Sequence, residues 1–120
     1  MLLCDEIYDR ITYEGAGLVP RATLAQDTIC ITMSGLSKVY RACGYRVGWA
    51  VVSGKLRIAQ DLLQAMELLA SLRLCSNVPG QWAIVPALTG PDTISALTRP
   101  GGRLYESRRA VLETVARSEF

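Results

Sequence analysis

Residues Ser34–Trp49, SGLSKVYRACGYRVGW, decide how the rest of the chain is read. They hold one lysine, Lys38, in a turn rich in serine and glycine, and an arginine, Arg46, eight residues further on between Gly44 and Gly48. The apolar run Thr28–Met33 precedes them, and Trp49–Val52 opens another. A lysine delivered by a strand end into a turn of small residues is well placed to meet a ligand. The planar donor fork of an arginine nearby suits phosphate oxygens, which it can bind bidentately. Read alone, the same stretch also suits an ordinary loop with two solvated cations.

Composition narrows the classes. With 120 residues there is room for one domain, which could bury about two-thirds of its unfolded surface if it folded alone. Half of the residues are hydrophobic and a fifth are charged, which argues against disorder. The net charge of +2 is too small, and the basic residues too scattered, to argue for nucleic acid. No apolar stretch approaches the ~20 residues needed to span a bilayer. The opening MLLCDEIYDR lacks the basic and apolar regions of a signal peptide. These features lead us to expect a soluble cytoplasmic chain. Cys4, Cys30, Cys43 and Cys75 form no C-x-x-C pair and read as structural thiols. Histidine is absent, which excludes Ser-His and Cys-His nucleophile pairs and a His-ligated zinc within the chain.

Taken in order, residues 1–4 read as a short strand buried on both faces, ending at Asp5 and Tyr8. That places both at the carboxyl edge of a sheet, where open α/β folds bind ligands. Asp5 also suits a turn or a helix cap, and Tyr8 a half-buried packing role. A loop over residues 9–20 follows, then a link and a second strand at Thr28–Met33. Val39–Cys43 reads as irregular or helical, and Gly44–Ser53 as a third strand. The short connection between the second and third strands favours an antiparallel pairing, since a parallel crossover needs a dozen residues or more. The spacing then predicts an amphipathic helix from Lys55 to about Leu72. A second helix is predicted over Pro79–Leu88, capped by Ser76 or Asn77 and bent or shortened by Pro86. A short helix over residues 92–98 and a last one from Pro100–Gly102 to about Ala116 complete the reading.

Three motifs in this order carry a resemblance: DEIY at Asp5–Tyr8, SGLSK at Ser34–Lys38 and GYRVGW at Gly44–Trp49. The chain resembles the class I/II aminotransferases, pyridoxal-phosphate (PLP) enzymes of fold type I. RLCSNVP at Arg73–Pro79 and PGGRLYESRR at Pro100–Arg109 look like the alanine- and aspartate-aminotransferase branch. The resemblance implies an α/β fold, part of a PLP-transferase large domain, with a mostly parallel sheet, one antiparallel strand and flanking helices. It implies that residues 1–100 are the C-terminal half of that domain. Residues 101–120 would begin an interdomain helix leading to a small domain outside this chain. The parent protein would pass an amino group from an amino acid to a 2-oxo acid, most simply as a homodimer in which Ser76–Pro79 approaches the neighbouring subunit's site.

The same resemblance assigns roles. Lys38 would hold the cofactor as its Schiff-base lysine and then carry the proton between the substrate's α-carbon and the cofactor. A lysine must lose its proton to act this way, and a neighbouring cation such as Arg46 favours that loss. Asp5 would stand beside the pyridine nitrogen, Tyr8 beside the ring oxygen, and Arg46 on the phosphate. The family's usual phosphate hydroxyl lies three residues before the lysine, where this chain has Gly35, so Ser34 and Ser37 are both candidates. Three rival readings remain: a lyase or synthase on the same fold, a non-catalytic remnant with exposed sheet edges, and a phosphate-binding module with no use for Asp5.

Overall fold

The β-branched run after Thr28 becomes the middle strand of the sheet. In the computed structural model, which describes residues 1–118, β1 (Leu2–Asp5), β2 (Ile29–Gly35) and β3 (Gly48–Gly54) lie side by side in that order. β1 pairs with β2 in parallel, and β2 pairs with β3 antiparallel. The parallel pairing needs a long crossover. Residues 6–28 supply it, with a short helix, α1 (Arg21–Leu24), resting on β2. β3 begins four residues later than the pattern predicts. Cys43–Tyr45 instead close a single 3₁₀ turn, and Arg46 leaves it in the left-handed conformation.

Four helices follow: α2 (Gln60–Arg73), α3 (Val78–Thr89), α4 (Ser95–Thr98) and α5 (Arg103–Arg117). α2 starts later than predicted because Leu56–Ile58 tighten into a 3₁₀ turn ahead of the buried Ala59. Asn77 caps α3 by accepting a hydrogen bond from the Gly80 N–H at 3.0 Å, with Pro79 in the first turn. Pro86 does not end that helix. The turn beyond it stays closed by the Gly90 N–H donating to the Pro86 carbonyl at 2.9 Å.

The connections tie back to the first loop. Arg10 pairs with Asp92 at 2.8 Å, and Asp92 also accepts from the Ser95 hydroxyl at 2.6 Å and its amide at 3.2 Å, opening α4. Those Ser95 bonds, with Arg10 behind them, hold the Asp92 carboxyl below its usual range. α5 is fastened by its first half. Tyr105 sits 6.4 Å from the Tyr13 ring, and Arg108 lies 5.0 Å over Tyr13 while pairing with Glu14 at 3.1 Å. Residues 119 and 120, the end of the expected interdomain segment, lie outside the described residues.

Burial corrects the sequence reading. β1 is not buried on both faces: Leu2 is 45% and Leu3 62% exposed, because no second layer covers them among the described residues. α2 buries no residue, and its apolar residues Leu68, Leu69 and Leu72 face outward. The same holds for Val111, Leu112 and Val115 on α5. Small or compact side chains such as Ala25, Cys30, Ile31, Leu36 and Val39 form the core near β2. The accessible surface is 9015 Å², against roughly 6,400 Å² for a typical monomer of this mass. The radius of gyration is 18.0 Å, against about 14 Å for a compact domain of this length.

At the exit of β3 the Lys55 N–H donates to the Thr28 carbonyl, and Gly54 makes the bend at φ +85°. A Cβ on Gly54 would overlap that same carbonyl oxygen, whereas Gly15, at φ +74°, has open space around it. Gly54→Ala is therefore expected to lose at least about 2 kcal/mol and Gly15→Ala only about 1 kcal/mol, measured by denaturant unfolding of the full chain. Equal losses would show that backbone conformation alone sets the cost and that the close approach is irrelevant.

Candidate functional site

The register of the sheet brings its functional ends together. Asp5 pairs with Met33 across the parallel ladder, while Ser34 pairs with Trp49 and Gly35 with Gly48 across the antiparallel one. The last residue of β1, the last of β2 and the approach to β3 therefore share one edge. There they border a cleft of about 450 Å³. Asp5, Tyr8, Ser34, Ser37, Lys38 and Arg46 all line it. These are the six residues to which the resemblance assigns roles at the cofactor.

Local packing decides how each is presented. Leu36, 1% exposed, and Val39, 3% exposed, anchor the turn on either side of Ser37 and Lys38. The Leu36 N–H donates to the Val47 carbonyl at 3.1 Å, and the Ala42 N–H to the Leu36 carbonyl at 3.0 Å, so the loop is closed at its neck. The Arg41 N–H donates to the Lys38 carbonyl at 3.0 Å and tightens the turn. Between two buried pegs, Lys38 itself stays exposed. Its Nζ lies 5.7 Å from the centre of the Tyr8 ring, a cation–π distance. The other lysine, Lys55, is elsewhere, facing Asp27 at 3.8 Å.

Asp5 Oδ1 accepts from the Ile7 N–H at 3.1 Å, which turns the chain after β1 and holds the carboxylate at the strand end. Arg46 has φ +52° and ψ +46° and donates from Nη1 to the Cys43 carbonyl at 2.8 Å. A side-chain-bearing residue in this conformation costs about 1–2 kcal/mol, and such positions gather at ligand clamps. Among the described residues, Asp5, Lys38 and Arg46 take part in no ion pair. The cleft thus offers one carboxylate, one amine, one guanidinium, two hydroxyls and a phenol, with an excess of positive charge. Such a set suits an anionic ligand that also carries a group for the carboxylate to meet.

Ile7, Met33 and Cys43 also line the cleft and were not anticipated. Met33 and Cys43 adjoin or fall within Ser34–Trp49, and their apolar or thiol character gave no chemical signal. Asn77 is one of the two expected helix caps and lies in the Ser76–Pro79 stretch that the resemblance places near a neighbouring subunit's site. Its Nδ2 also donates to the Tyr45 carbonyl at 2.6 Å, a contact across 32 residues that no local pattern encodes. Ser34 and Ser37 both line the hollow.

Known proteins share this sequence and this fold. Residues 1–119 match the family model described as "Aminotransferase class I and II". An alanine aminotransferase of Mycobacterium tuberculosis is 48% identical over 108 residues, covering 90% of this chain and 25% of the relative. The glutamate-pyruvate aminotransferase AlaA of Escherichia coli is 47% identical over 115 residues, covering 96% of this chain and 28% of the relative. A crystal structure of an aminotransferase from Escherichia coli superposes with a TM-score of 0.94 at 46% identity, over 98% of this chain and 29% of that one. The chain spans about a quarter of the length of the curated relatives it matches. With the motif order, the sheet and the match over residues 1–119 in agreement, the chain belongs to the class I and II aminotransferase family.

Proposed function

We propose that this chain is the cofactor-lysine portion of a PLP-dependent aminotransferase that moves an amino group from an amino acid to a 2-oxo acid. The observation that carries the reading is the single cleft that Asp5, Lys38 and Arg46 share at one sheet edge. The donor set fits PLP group by group. Arg46, with the hydroxyl of Ser34 or Ser37, would hold the phosphate through charge-assisted hydrogen bonds. Asp5 would hold a proton on the pyridine nitrogen, and the Tyr8 phenol would donate to the ring oxygen. Lys38 would bind the carbonyl carbon through its amine. Bound PLP supplies the electron sink that makes amino-group chemistry at the α-carbon accessible. The Lys38 amine would also take up and return the proton at Nζ. The names of the relatives point to alanine, glutamate and pyruvate as the first substrates to try.

We assign residues 1–100 to the C-terminal half of the PLP-binding large domain and α5 to the opening of an interdomain helix. The outward apolar residues of β1, α2 and α5 support this assignment, because in a larger body they would be covered. In the same reading the parent protein is a homodimer and cytoplasmic. Four free cysteines are compatible with a reducing compartment. No helix among the described residues is long and apolar enough to cross a membrane.

The exposed surface favours a second reading for the chain by itself, that of a cofactor-binding piece without turnover. Adding PLP to the full chain is expected to produce a visible absorbance band, and borohydride to fix the cofactor on Lys38, located by peptide mass. Lys38→Ala should abolish both; a band that survives would mean that the wrong amine was chosen. With wild-type chain, alanine or glutamate is expected to leave the band unchanged. Its conversion to the amino form of the cofactor would instead show that these 120 residues hold a complete site.

A further inference from the structure

The residue that caps α3 also reaches the backbone beside Arg46. Asn77 Oδ1 accepts from the Gly80 N–H at 3.0 Å, and Asn77 Nδ2 donates to the Tyr45 carbonyl at 2.6 Å. One side chain thus closes the first turn of α3 and also holds the residue that immediately precedes Arg46. Gly80 shows how closely the two segments approach. It is buried, and a Cβ there would overlap Val47 Cγ2 and crowd the Tyr45 carbonyl oxygen at 3.2 Å. The helix therefore presses on the residues either side of Arg46. On the far side, the Val47 carbonyl is held by the Leu36 N–H at 3.1 Å, linking the arginine turn to the lysine loop. Arg46 keeps its left-handed φ of +52° between these two fixed neighbours. A conformation of that cost persists only where its surroundings over-determine it.

We infer that Asn77 is a positioning residue for phosphate recognition, acting through Arg46 by way of the Tyr45 carbonyl. The inference rests on the proposed role of Arg46. Asn77 and Arg46 also border a second hollow of about 680 Å³, so direct contact of Asn77 with a ligand is the alternative to be separated.

The test compares PLP with pyridoxal, which has the ring and aldehyde but no phosphate, as probes of the full chain. Asn77→Ser keeps a neutral cap of nearly equal quality but is too short to reach Tyr45. It is expected to weaken PLP binding roughly tenfold, the effect of one lost hydrogen bond, and to leave pyridoxal binding and the circular dichroism spectrum unchanged. Arg46→Ala should also weaken PLP selectively, and in that background Asn77→Ser should add nothing. If Asn77→Ser disturbs α3, Asn77→Asp caps as well and cannot donate to Tyr45. The Arg46→Ala background then separates its added charge from the lost donor. Wild-type PLP affinity in the Asn77 variants, an equal loss for pyridoxal, or a further loss without Arg46 would each overturn the inference. If Arg46→Ala fails to distinguish PLP from pyridoxal, the phosphate role of Arg46 falls and this inference with it. If only the Asn77 variants fail to do so, the proposed function stands and the positioning role alone is lost.

Discussion

The site depends on β2 pairing in both senses at once. Its parallel partner, β1, ends where β2 ends, so Asp5 arrives beside Met33. Its antiparallel partner, β3, begins there, so Gly48 arrives beside Gly35 and the Arg46 turn stands next to the Lys38 turn. Reversal of β3 is what brings the guanidinium to the edge that already carries the carboxylate. Side-chain period in a strand is two, so a slip of one residue in either ladder would move Asp5 or Ser34 to the opposite face. Such a register is set by which faces the strands bury and by the turn joining β2 to β3, since a slipped ladder would make the same backbone hydrogen bonds.

That matters because the core is slight. Few side chains larger than alanine, among them Leu36, Cys30 and Ile94, are removed from solvent almost completely, while Trp82 is 78% exposed. Yet the Lys38 loop has two buried pegs and a closed neck, and the Arg46 turn is clamped between α3 and that loop. The surroundings of the cleft are thus locally over-determined inside a body with far more surface than a compact domain of its mass. Short-range polar contacts set the geometry, while cover for β1, α2 and α5 is not found among the described residues. Coverage of about a quarter of the relatives' length is in keeping with that distribution.

Much of the architecture was legible from residue patterns. The run Thr28–Met33 predicted a strand through its β-branched content, and Ser76-Asn77-Val78-Pro79 predicted a helix start that Asn77 performs. The short link between β2 and β3 predicted their antiparallel pairing. Errors fell where a local rule met a tertiary fact. Leu2 and Leu3 look like a doubly buried strand because apolar runs usually are, but burial depends on neighbours that no run encodes. Gly44 and Tyr45 read as the start of a strand because nothing in that pair forbids extension. The turn there exists because Tyr45 is held by Asn77 and Val47 by Leu36.

By itself the sequence determined which chemical groups the chain can bring to a ligand: Lys38 in a small-residue turn, Arg46 after it, Asp5 and Tyr8 at a strand end, and no histidine. It determined the family as well, because motif order is a linear property. Convergence of those groups on one cleft, and the use of Asn77 as a brace rather than only a cap, were decided by tertiary structure alone. Spacing along a chain constrains the neighbours within one element. The distance between the end of one strand, a turn after another and the first turn of a helix is set by sheet register and helix packing, which sum contacts from the whole molecule.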